Sequence, residues 1–151
     1  YVRLKMANDE MFTPKWIFDA LDIEFDLDVA SSYNQFVQVP TKSRFTIDDD
    51  ALQQDWVGLI WMNPPFSGVT PWVDKWLDHA NGFCLVPLSS NGKWVNKLWE
   101  SDAMVTYLPP NMAFIGGQDG IEVKHRWRCA LWAIGDQAIE ILKQSHIGKV
   151  R

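Results

Sequence analysis

The 151-residue sequence predicts an α/β fold, in which helices flank a mainly parallel sheet and antiparallel strands enter near the C-terminus. Short continuous apolar runs, VGLIWM at 57–62 and GFCLVPL at 82–88, are typical of strands buried on both faces. They alternate with segments whose apolar residues recur at helical spacing, such as PWVDKWLDHA at 71–80. The length suits one domain, so residues 1–151 are expected to form a single unit.

The N-terminal third predicts a helix, a strand and a short helix. Thr13 is a favourable N-cap and Pro14 suits a first turn, so the first helix is predicted to begin at Pro14, with Thr13 as its N-cap. The run FDLDVA at 25–30 predicts a strand that ends near Asp28. Polar, irregular sequence follows, and DDDALQQDW at 48–56 predicts a short capped helix.

The central and C-terminal parts continue this alternation. Asn63 and Pro64 end the strand VGLIWM, and Thr70 and Pro71 open the next helix. The remaining predicted elements are the strand GFCLVPL, the helix GKWVNKLWE, the strands AMVTYLPP and CALWAI, and the closing helix QAIEILKQ. Ligands of such sheets bind beyond the carboxyl ends of the strands, where Asp28 and Asn63 both fall.

Composition limits the class of protein. Cys84 and Cys129 lie in apolar runs, which predicts reduced core thiols rather than a disulfide. His79, His125 and His146 lack the spacing of metal ligands, so no metal is predicted. Neither a membrane-spanning run nor the apolar core of a signal peptide is visible, so no membrane contact and a cytoplasmic location are expected.

The sequence NPPF at 63–66 carries the clearest chemistry. Pro64 and Pro65 have no backbone N–H, so the local carbonyl groups meet no competing donor. The Asn63 amide oxygen and the Pro64 carbonyl would then accept the two hydrogens of a primary amine, and Phe66 would stack on a planar ring. The alternative is a plain turn whose prolines end a strand.

The motif resembles that of the S-adenosylmethionine-dependent amino-methyltransferases, which have Asp, Asn or Ser, then two prolines, then an aromatic residue. Three segments extend the likeness to the phage-type DNA adenine-N6 methyltransferases: 12–31 resembles their opening, 48–66 their centre, and 85–99 the strand and helix that follow. The resemblance implies a Rossmann-like class I methyltransferase, S-adenosylmethionine as cofactor and DNA as partner. A bacteriophage origin, a bacterial host and a link to restriction-modification follow from the same analogy.

The resemblance also implies roles for individual residues. The catalytic loop is Asn63, Pro64, Pro65 and Phe66. The implied cofactor-binding residues are Phe12, Thr13 and Pro14 at the methionine end, Asp28 and Ala30 on the first cofactor strand, Asp48 and Asp50, and Asn63. Two features depart from the family. The cofactor loop DVASSYN has no glycine fingerprint, and Ser89, Ser90 and Asn91 stand where Thr and a charged residue are common.

Other functions fit the same residues. Cytosine N4, an RNA base or a protein glutamine also presents a planar primary amine to such a loop. A non-catalytic module that holds the cofactor or DNA is a further alternative. The chain has no space for a separate target-recognition domain, so loops are expected to read DNA, and a homodimer is a possible binding form.

Charge is distributed unevenly along the chain. The net charge is -5, yet residues 121–151 carry 6 basic and 3 acidic side chains, while residues 1–60 carry 5 and 11. The GGQDG sequence at 116–120 predicts a mobile loop before the basic run KHRWR at 124–128. An extended run would direct its basic side chains to one side, either towards phosphate or on an outward face remote from the site. The predicted DNA contacts are Lys124, Arg126, Trp127 and Arg128, with Lys93 as a further candidate.

Overall fold

The computed structural model describes residues 11–88, 92–110, 112–124 and 128–148. Its strands are β1 (Met11–Phe12), β2 (Leu27–Asp28), β3 (Ile60–Met62), β4 (Gly82–Pro87), β5 (Met104–Tyr107), β6 (Ala113–Gly116), β7 (Glu122–Lys124) and β8 (Cys129–Ile134). Its helices are α1 (Lys15–Leu21), α2 (Val69–His79), α3 (Lys93–Glu100) and α4 (Asp136–Ser145). Among these described residues, no helix has the length and apolar character needed to cross a bilayer.

Five strands form the main sheet, in the order β2-β3-β4-β8-β5. β3 pairs in parallel with β2 and with β4, whereas β8 pairs antiparallel with both β4 and β5. β5 therefore runs in the same direction as β2, β3 and β4, and β8 is reversed. The predicted α/β fold with antiparallel strands near the C-terminus is confirmed. The sheet is mixed, because two of its four pairings are parallel and two are antiparallel.

An extended segment at 40–45 continues the main sheet beyond β2. The Asp28 amide donates to the Ser43 carbonyl at 3.0 Å, and the Phe45 amide donates to the Asp28 carbonyl at 2.8 Å. The bridge between Asp28 and Arg44 is parallel. The sequence predicts irregular structure here, because polar side chains hide the periodicity of a single edge segment.

Side chains alternate between the two faces of the main sheet. Along β8, Leu131 and Ala133 join a core cluster that includes α1 and α4, whereas Ala130 and Trp132 join a second cluster with α2 and α3. Helices thus cover both faces, which explains why the strands are continuous apolar runs. Each large side chain buried in this way contributes about 1.5–3 kcal/mol to folding. Cys84 and Cys129 are buried in these clusters and form no disulfide, which confirms their prediction as core thiols.

The first helix begins one residue later than predicted, with its N-cap at Pro14 instead of Thr13. Pro14 is the N-cap of α1, its ψ is 149°, and no side chain caps the helix. The prediction was wrong because the Thr13 hydroxyl accepts a hydrogen bond from the Asn63 side chain instead of one from the helix. The predicted short helix at 48–56 is two single 3₁₀ turns, Ile47–Asp49 and Ala51–Gln53.

Three short strands form a small antiparallel sheet in the order β1-β6-β7. Phe12 of β1 pairs with Ile115 of β6, and the Phe114 side chain, 2% exposed, packs into the core beside α1 and α4. The sequence predicts neither β1 nor β6. Where it predicts a mobile loop, the structure has a hydrogen-bonded turn, in which the Gly120 amide donates to the Gly116 carbonyl at 2.9 Å.

Candidate active site

A small open cleft of about 30 Å³ lies where the carboxyl ends of β2 and β3 meet the small sheet. The main sheet contributes Asp28, Trp61 and Asn63, and the small sheet contributes Phe12. The full lining is Phe12, Thr13, Asp28, Ala30, Ser31, Ser32, Val37, Val39, Trp61 and Asn63. The cleft therefore brings together residues that lie far apart in the sequence, several of which the sequence predicts for one site.

Asn63 directly follows β3, and Thr13 holds its side chain from one side. The Asn63 Nδ2 donates to the Thr13 Oγ1 at 3.3 Å. Thr13 is only 3% exposed, so packing keeps its hydroxyl in place. The two polar atoms of an amide point in different directions, so Oδ1 points away from Thr13. In the part of the chain that the structure describes, no donor reaches this oxygen.

The two prolines behind Asn63 play different structural parts. The Pro65 carbonyl accepts a hydrogen bond from the Gly68 amide at 3.2 Å, which closes the turn that leads into α2. The Pro64 carbonyl receives no hydrogen bond from the described residues. Phe66 is partly buried against the core cluster that contains α1. Asn63, which lines the cleft, and the buried Pro64 that follows it thus carry two neighbouring acceptors.

Asp28 is the buried acid of the cleft, with 2% of its surface exposed. Burial raises the pKa of Asp28 to about 7, because the charged form loses its hydration. The Ala30 amide, which donates to the carboxylate at 3.2 Å, opposes this rise, as do the Ser31 hydroxyl and the positive charge of Arg44. A cationic group in the cleft would favour the ionised form of Asp28.

Three of the predicted cofactor residues do not line the cleft. Pro14 is buried at the start of α1. Asp48 and Asp50 are exposed at the two 3₁₀ turns, just after the extended segment 40–45. That segment runs parallel to β2, so its carboxyl end reaches the same edge of the sheet as Asp28.

Sequence reasoning missed part of the cleft wall. Ser31 and Ser32 belong to the cofactor loop DVASSYN but were not themselves assigned to the site, and Val37 and Val39 reach the cleft from the segment that comes next. The spacing of the two valines is the period of an extended chain, which was the one available signal. Trp61 is 1% exposed and was missed because it lies inside a fully apolar strand.

The predicted DNA contacts that the structure describes lie on three elements. Lys93 is the exposed first residue of α3, Lys124 is exposed at the end of β7, and Arg128 is exposed just before β8. The Arg128 Nε donates to the Leu108 carbonyl at 3.0 Å, and its guanidinium lies 5.8 Å from the centre of the Tyr107 ring. Lys124 ends β7 of the small sheet and Arg128 precedes β8 of the main sheet, and the predicted extended run that joins them passes through residues outside the described part of the chain.

Two of the predicted DNA contacts, Arg126 and Trp127, lie outside the described residues. Ser89, Ser90 and Asn91, where the sequence departs from the resembled family, also lie outside them.

The fold and the cleft define an α/β protein with a cleft at the carboxyl edge of its sheet, beside a loop that presents hydrogen-bond acceptors. The chain belongs to the DNA N-6-adenine-methyltransferase (Dam) family, whose model matches residues 3–146. It is therefore an enzyme that methylates the N6 amine of adenine in DNA, which confirms the predicted family, reaction and substrate. No observation favours methylation of cytosine, RNA or glutamine, or a non-catalytic module.

The family requires a methyl donor. Comparisons with curated proteins and with solved structures gave no match.

Proposed function

We propose that the cleft binds S-adenosylmethionine and that Asn63 and Pro64 present the adenine amine to the methyl group of this cofactor. The orientation of Asn63 carries the proposal. Its Nδ2 is held by the Thr13 hydroxyl at 3.3 Å, which leaves Oδ1 to accept a hydrogen from the substrate. The family determines the reaction, and the geometry supports this loop as the place where it occurs.

The lining of the cleft fits the cofactor. S-adenosylmethionine supplies an electrophilic methyl group on a cationic sulfur, and it also carries an ammonium, a ribose and a flat adenine ring. Asp28 offers a carboxyl group for a cation or a hydroxyl, and Phe12, Val37 and Val39 offer an apolar wall for the ring. Thr13 and Pro14 would hold the methionine end, with Ala30 close to the Asp28 carboxyl. Asp48 and Asp50 are the candidates for the ribose.

The two acceptors would activate the amine. The lone pair of the adenine N6 amine is delocalised into the ring, so the amine is a weak nucleophile. Hydrogen bonds from its two hydrogens to Asn63 Oδ1 and the Pro64 carbonyl would localise this pair on nitrogen. The pair forms the new N–C bond, the C–S bond breaks, and its electrons return to sulfur. The extra proton on nitrogen leaves to solvent along one of the two hydrogen bonds.

Phe66 and the rigid prolines would hold the target base. A base pair hides the N6 amine inside the duplex, so the adenine must leave the stack to reach Asn63. Phe66 follows the prolines directly and would stack on the extruded ring. Its partial burial against the core limits how far the ring can move.

A Rossmann-like class I methyltransferase fold is part of the proposal. The parallel strands β2 and β3 end at the cleft, β4 runs parallel beside them, and β8 is reversed. Such an arrangement supports cofactor binding at the first parallel strand and chemistry at its neighbour, where Asp28 and Asn63 lie.

We also propose that loops around the carboxyl edge bind DNA. Lys93, Lys124 and Arg128 supply exposed positive charge there. Arg126 and Trp127 stay candidates from the sequence. A homodimer, a location in the cytoplasm of a bacterial host and a role in restriction-modification of bacteriophage DNA stay predictions from charge and resemblance.

Product analysis tests the reaction at this site. The protein is incubated with S-adenosylmethionine and DNA of varied sequence, in single and double strands, and the digested nucleosides are measured by mass spectrometry. We expect N6-methyladenine. If only N4-methylcytosine forms, the substrate is cytosine and not adenine. If no methylated base forms, the proposal is wrong.

Calorimetry with S-adenosylhomocysteine, the product form of the cofactor, tests the location. Val39→Arg places bulk and positive charge in the cleft and should abolish binding, whereas Val57→Arg at a valine that is 64% exposed should not. Equal binding by both variants would place the cofactor elsewhere.

A further inference from the structure

One wall of the cleft is attached to a distant turn. We call residues 31–39 the wall segment, because Ser31, Ser32, Val37 and Val39 line the cleft. We call residues 116–120 the hairpin turn, because they join β6 to β7. Two contacts link these parts, and neither is needed to bury the main core.

The first contact uses both ends of the Asn34 side chain. Its Nδ2 donates to the Gly117 carbonyl at 2.7 Å, across 83 positions of the chain. Its Oδ1 accepts from the Phe36 amide at 2.9 Å, inside the wall segment. A carboxylate can replace only the acceptor, since it lacks a donor. Asn34 therefore organises the wall segment and joins it to the hairpin turn at the same time.

The second contact places an aromatic ring on a glycine. Gly120 has a φ of +74°, and a Cβ atom there would lie 2.5 Å from the Phe36 ring. The ring thus occupies the space that any larger residue at this position would need. The hydrogen bond is made near the start of the hairpin turn, at Gly117, and the ring contact at its end, at Gly120. Together the two contacts fix the position of the hairpin turn relative to the wall segment.

The hairpin turn also connects the two sides of the proposed reaction. β6 pairs with β1, which supplies Phe12 to the cleft. β7 pairs with β6 and carries the exposed Lys124 towards the basic run that follows it. A displacement of the hairpin would therefore move both a wall of the cleft and a DNA-facing strand.

We propose that Asn34 is a positioning residue that couples cofactor binding in the cleft to DNA binding on the β6–β7 hairpin. The inference rests on the proposed function, which places S-adenosylmethionine in the cleft and DNA on this side. A ligand that orders the wall segment also orders the hairpin, so the second ligand loses less conformational freedom on binding. The effect is reciprocal: DNA strengthens cofactor binding by the same factor by which the cofactor strengthens DNA binding.

The test measures the Kd of S-adenosylhomocysteine with and without a saturating adenine-containing oligonucleotide. In the unchanged protein we expect DNA to lower this Kd by about fivefold or more. Asn34→Asp keeps the acceptor for Phe36 and removes the donor to Gly117, so the Kd without DNA should rise by about 3–10-fold. The effect of DNA on this Kd should fall to less than about twofold. The KM for S-adenosylmethionine should rise, whereas kcat at saturating cofactor should change little.

Two further variants complete the design. Gly120→Ala displaces Phe36 and should lower the coupling as Asn34→Asp does, and the double variant should be little worse than either single variant, because both break one contact region. Gln35→Ala is the matched control. Gln35 is an exposed amide next to Asn34 in the wall segment, and its variant should behave like the unchanged protein.

Each outcome decides between the two proposals. Unchanged Kd and coupling in Asn34→Asp, or no coupling in the unchanged protein, overturns the role of Asn34 while the cofactor site stands. Loss of the thermal unfolding transition in Asn34→Asp and Gly120→Ala marks these contacts as structural and also overturns it. Binding that is insensitive to Val39→Arg overturns the proposed site itself.

Discussion

The two ends of the main sheet carry different chemistry, although the same strands build both. At the end where β2, β3, β4 and β5 begin and β8 finishes, exposed acids gather: Asp22, Glu24, Asp55, Asp78, Asp102 and Asp136. At the opposite end lie the buried Asp28, the amide of Asn63, and the exposed basic residues Lys93 and Arg128.

This difference teaches that net charge is a poor guide to the partner of this protein. The total of -5 argues against a nonspecific nucleic-acid coat protein, yet the family acts on DNA. A polyanion is repelled by the acidic end and finds hydrogen-bond donors and positive charge at the carboxyl end. The positive charge at the carboxyl end would therefore determine which end of the sheet meets DNA.

The largest expected effect comes from removing the acceptor at the carboxyl end. Asn63→Ala should lower kcat by about 100-fold or more, since the missing hydrogen bond would stabilise charge in the transition state. Affinity for S-adenosylhomocysteine should change only a few-fold. Steady-state kinetics and calorimetry measure the two quantities, and Asn81→Ala at the acidic end is the matched control. If both variants lose kcat to a similar extent, the two ends of the sheet do not differ in function.

The next effect concerns Asp28, whose pKa burial raises to about 7. A bound cation favours the carboxylate, so binding releases a proton below pH 7. Cofactor affinity should therefore rise from pH 6 to pH 8 and then level off. Asp28→Asn should remove this rise and weaken binding at pH 8 by about tenfold or more, because the cofactor then has no charged partner at this position. Affinity that falls with pH in the unchanged protein would contradict the assignment.

The same residue should affect stability in the opposite sense. Without cofactor, the folded state holds the Asp28 proton more tightly than the unfolded state does, because the folded pKa is the higher one. Stability should therefore fall as pH rises from about 4 to about 7. Asp28→Asn removes this contribution to the fall, and denaturant titrations at several pH values would detect the change in slope. Parallel pH profiles for both proteins would show that burial of Asp28 is not the cause.

A smaller effect is expected from exposed charges. Lys93→Glu with Lys124→Glu should weaken DNA binding and reduce the dependence of log K on log salt by about 1 for each phosphate that the protein no longer neutralises. Asp55→Lys with Asp78→Lys makes an equal and opposite charge change at the acidic end. Its effect on affinity should stay below about threefold at physiological salt, because charges beyond about 8 Å are screened. Filter binding over a salt series compares the pairs, and equal slopes would refute the orientation.

The smallest effect is expected from a basic side chain whose charge is already neutralised by an ion pair. Lys15 lies at the start of α1, on the cleft side, and its Nζ is 2.8 Å from the Asp19 carboxylate. Lys15→Ala should change DNA affinity by less than about twofold and stability by less than about 0.5 kcal/mol, since exposed ion pairs contribute little. A loss of affinity comparable to that of the Lys93 and Lys124 variant would mean that position, not unpaired charge, selects the DNA contacts.

The sequence predicts the main sheet well because its strands leave a local signal. VGLIWM and GFCLVPL are apolar throughout, and Asn63 with Pro64 marks the end of a strand without any knowledge of its neighbours. The placement of Asp28 and Asn63 beside one cleft follows from the direction of parallel strands. These are properties that a short stretch of chain carries by itself.

The rest of the cleft leaves no local signal. β1 has two residues, and it exists because Met11 and Phe12 pair with Gly116 and Ile115, far along the chain. The wall segment is held by Asn34 in the same long-range way. The helix N-cap predicted at Thr13 was misplaced because tertiary structure uses the hydroxyl for Asn63. Pairing between distant segments is invisible to periodicity, so these features could not be predicted.

The reversed strand β8 also shapes how the protein emerges from the ribosome. Of the described strands it is the last to be synthesised, yet it lies between β4 and β5 in the finished sheet. Until residues 129–134 have been made, β4 has an open edge in which every residue is destined for burial. Unpaired apolar edges recruit strands from other chains, so a nascent or truncated chain that lacks β8 is prone to aggregate. Once β8 has been synthesised and pairs with β4, this edge of the sheet is no longer open to strands from other chains.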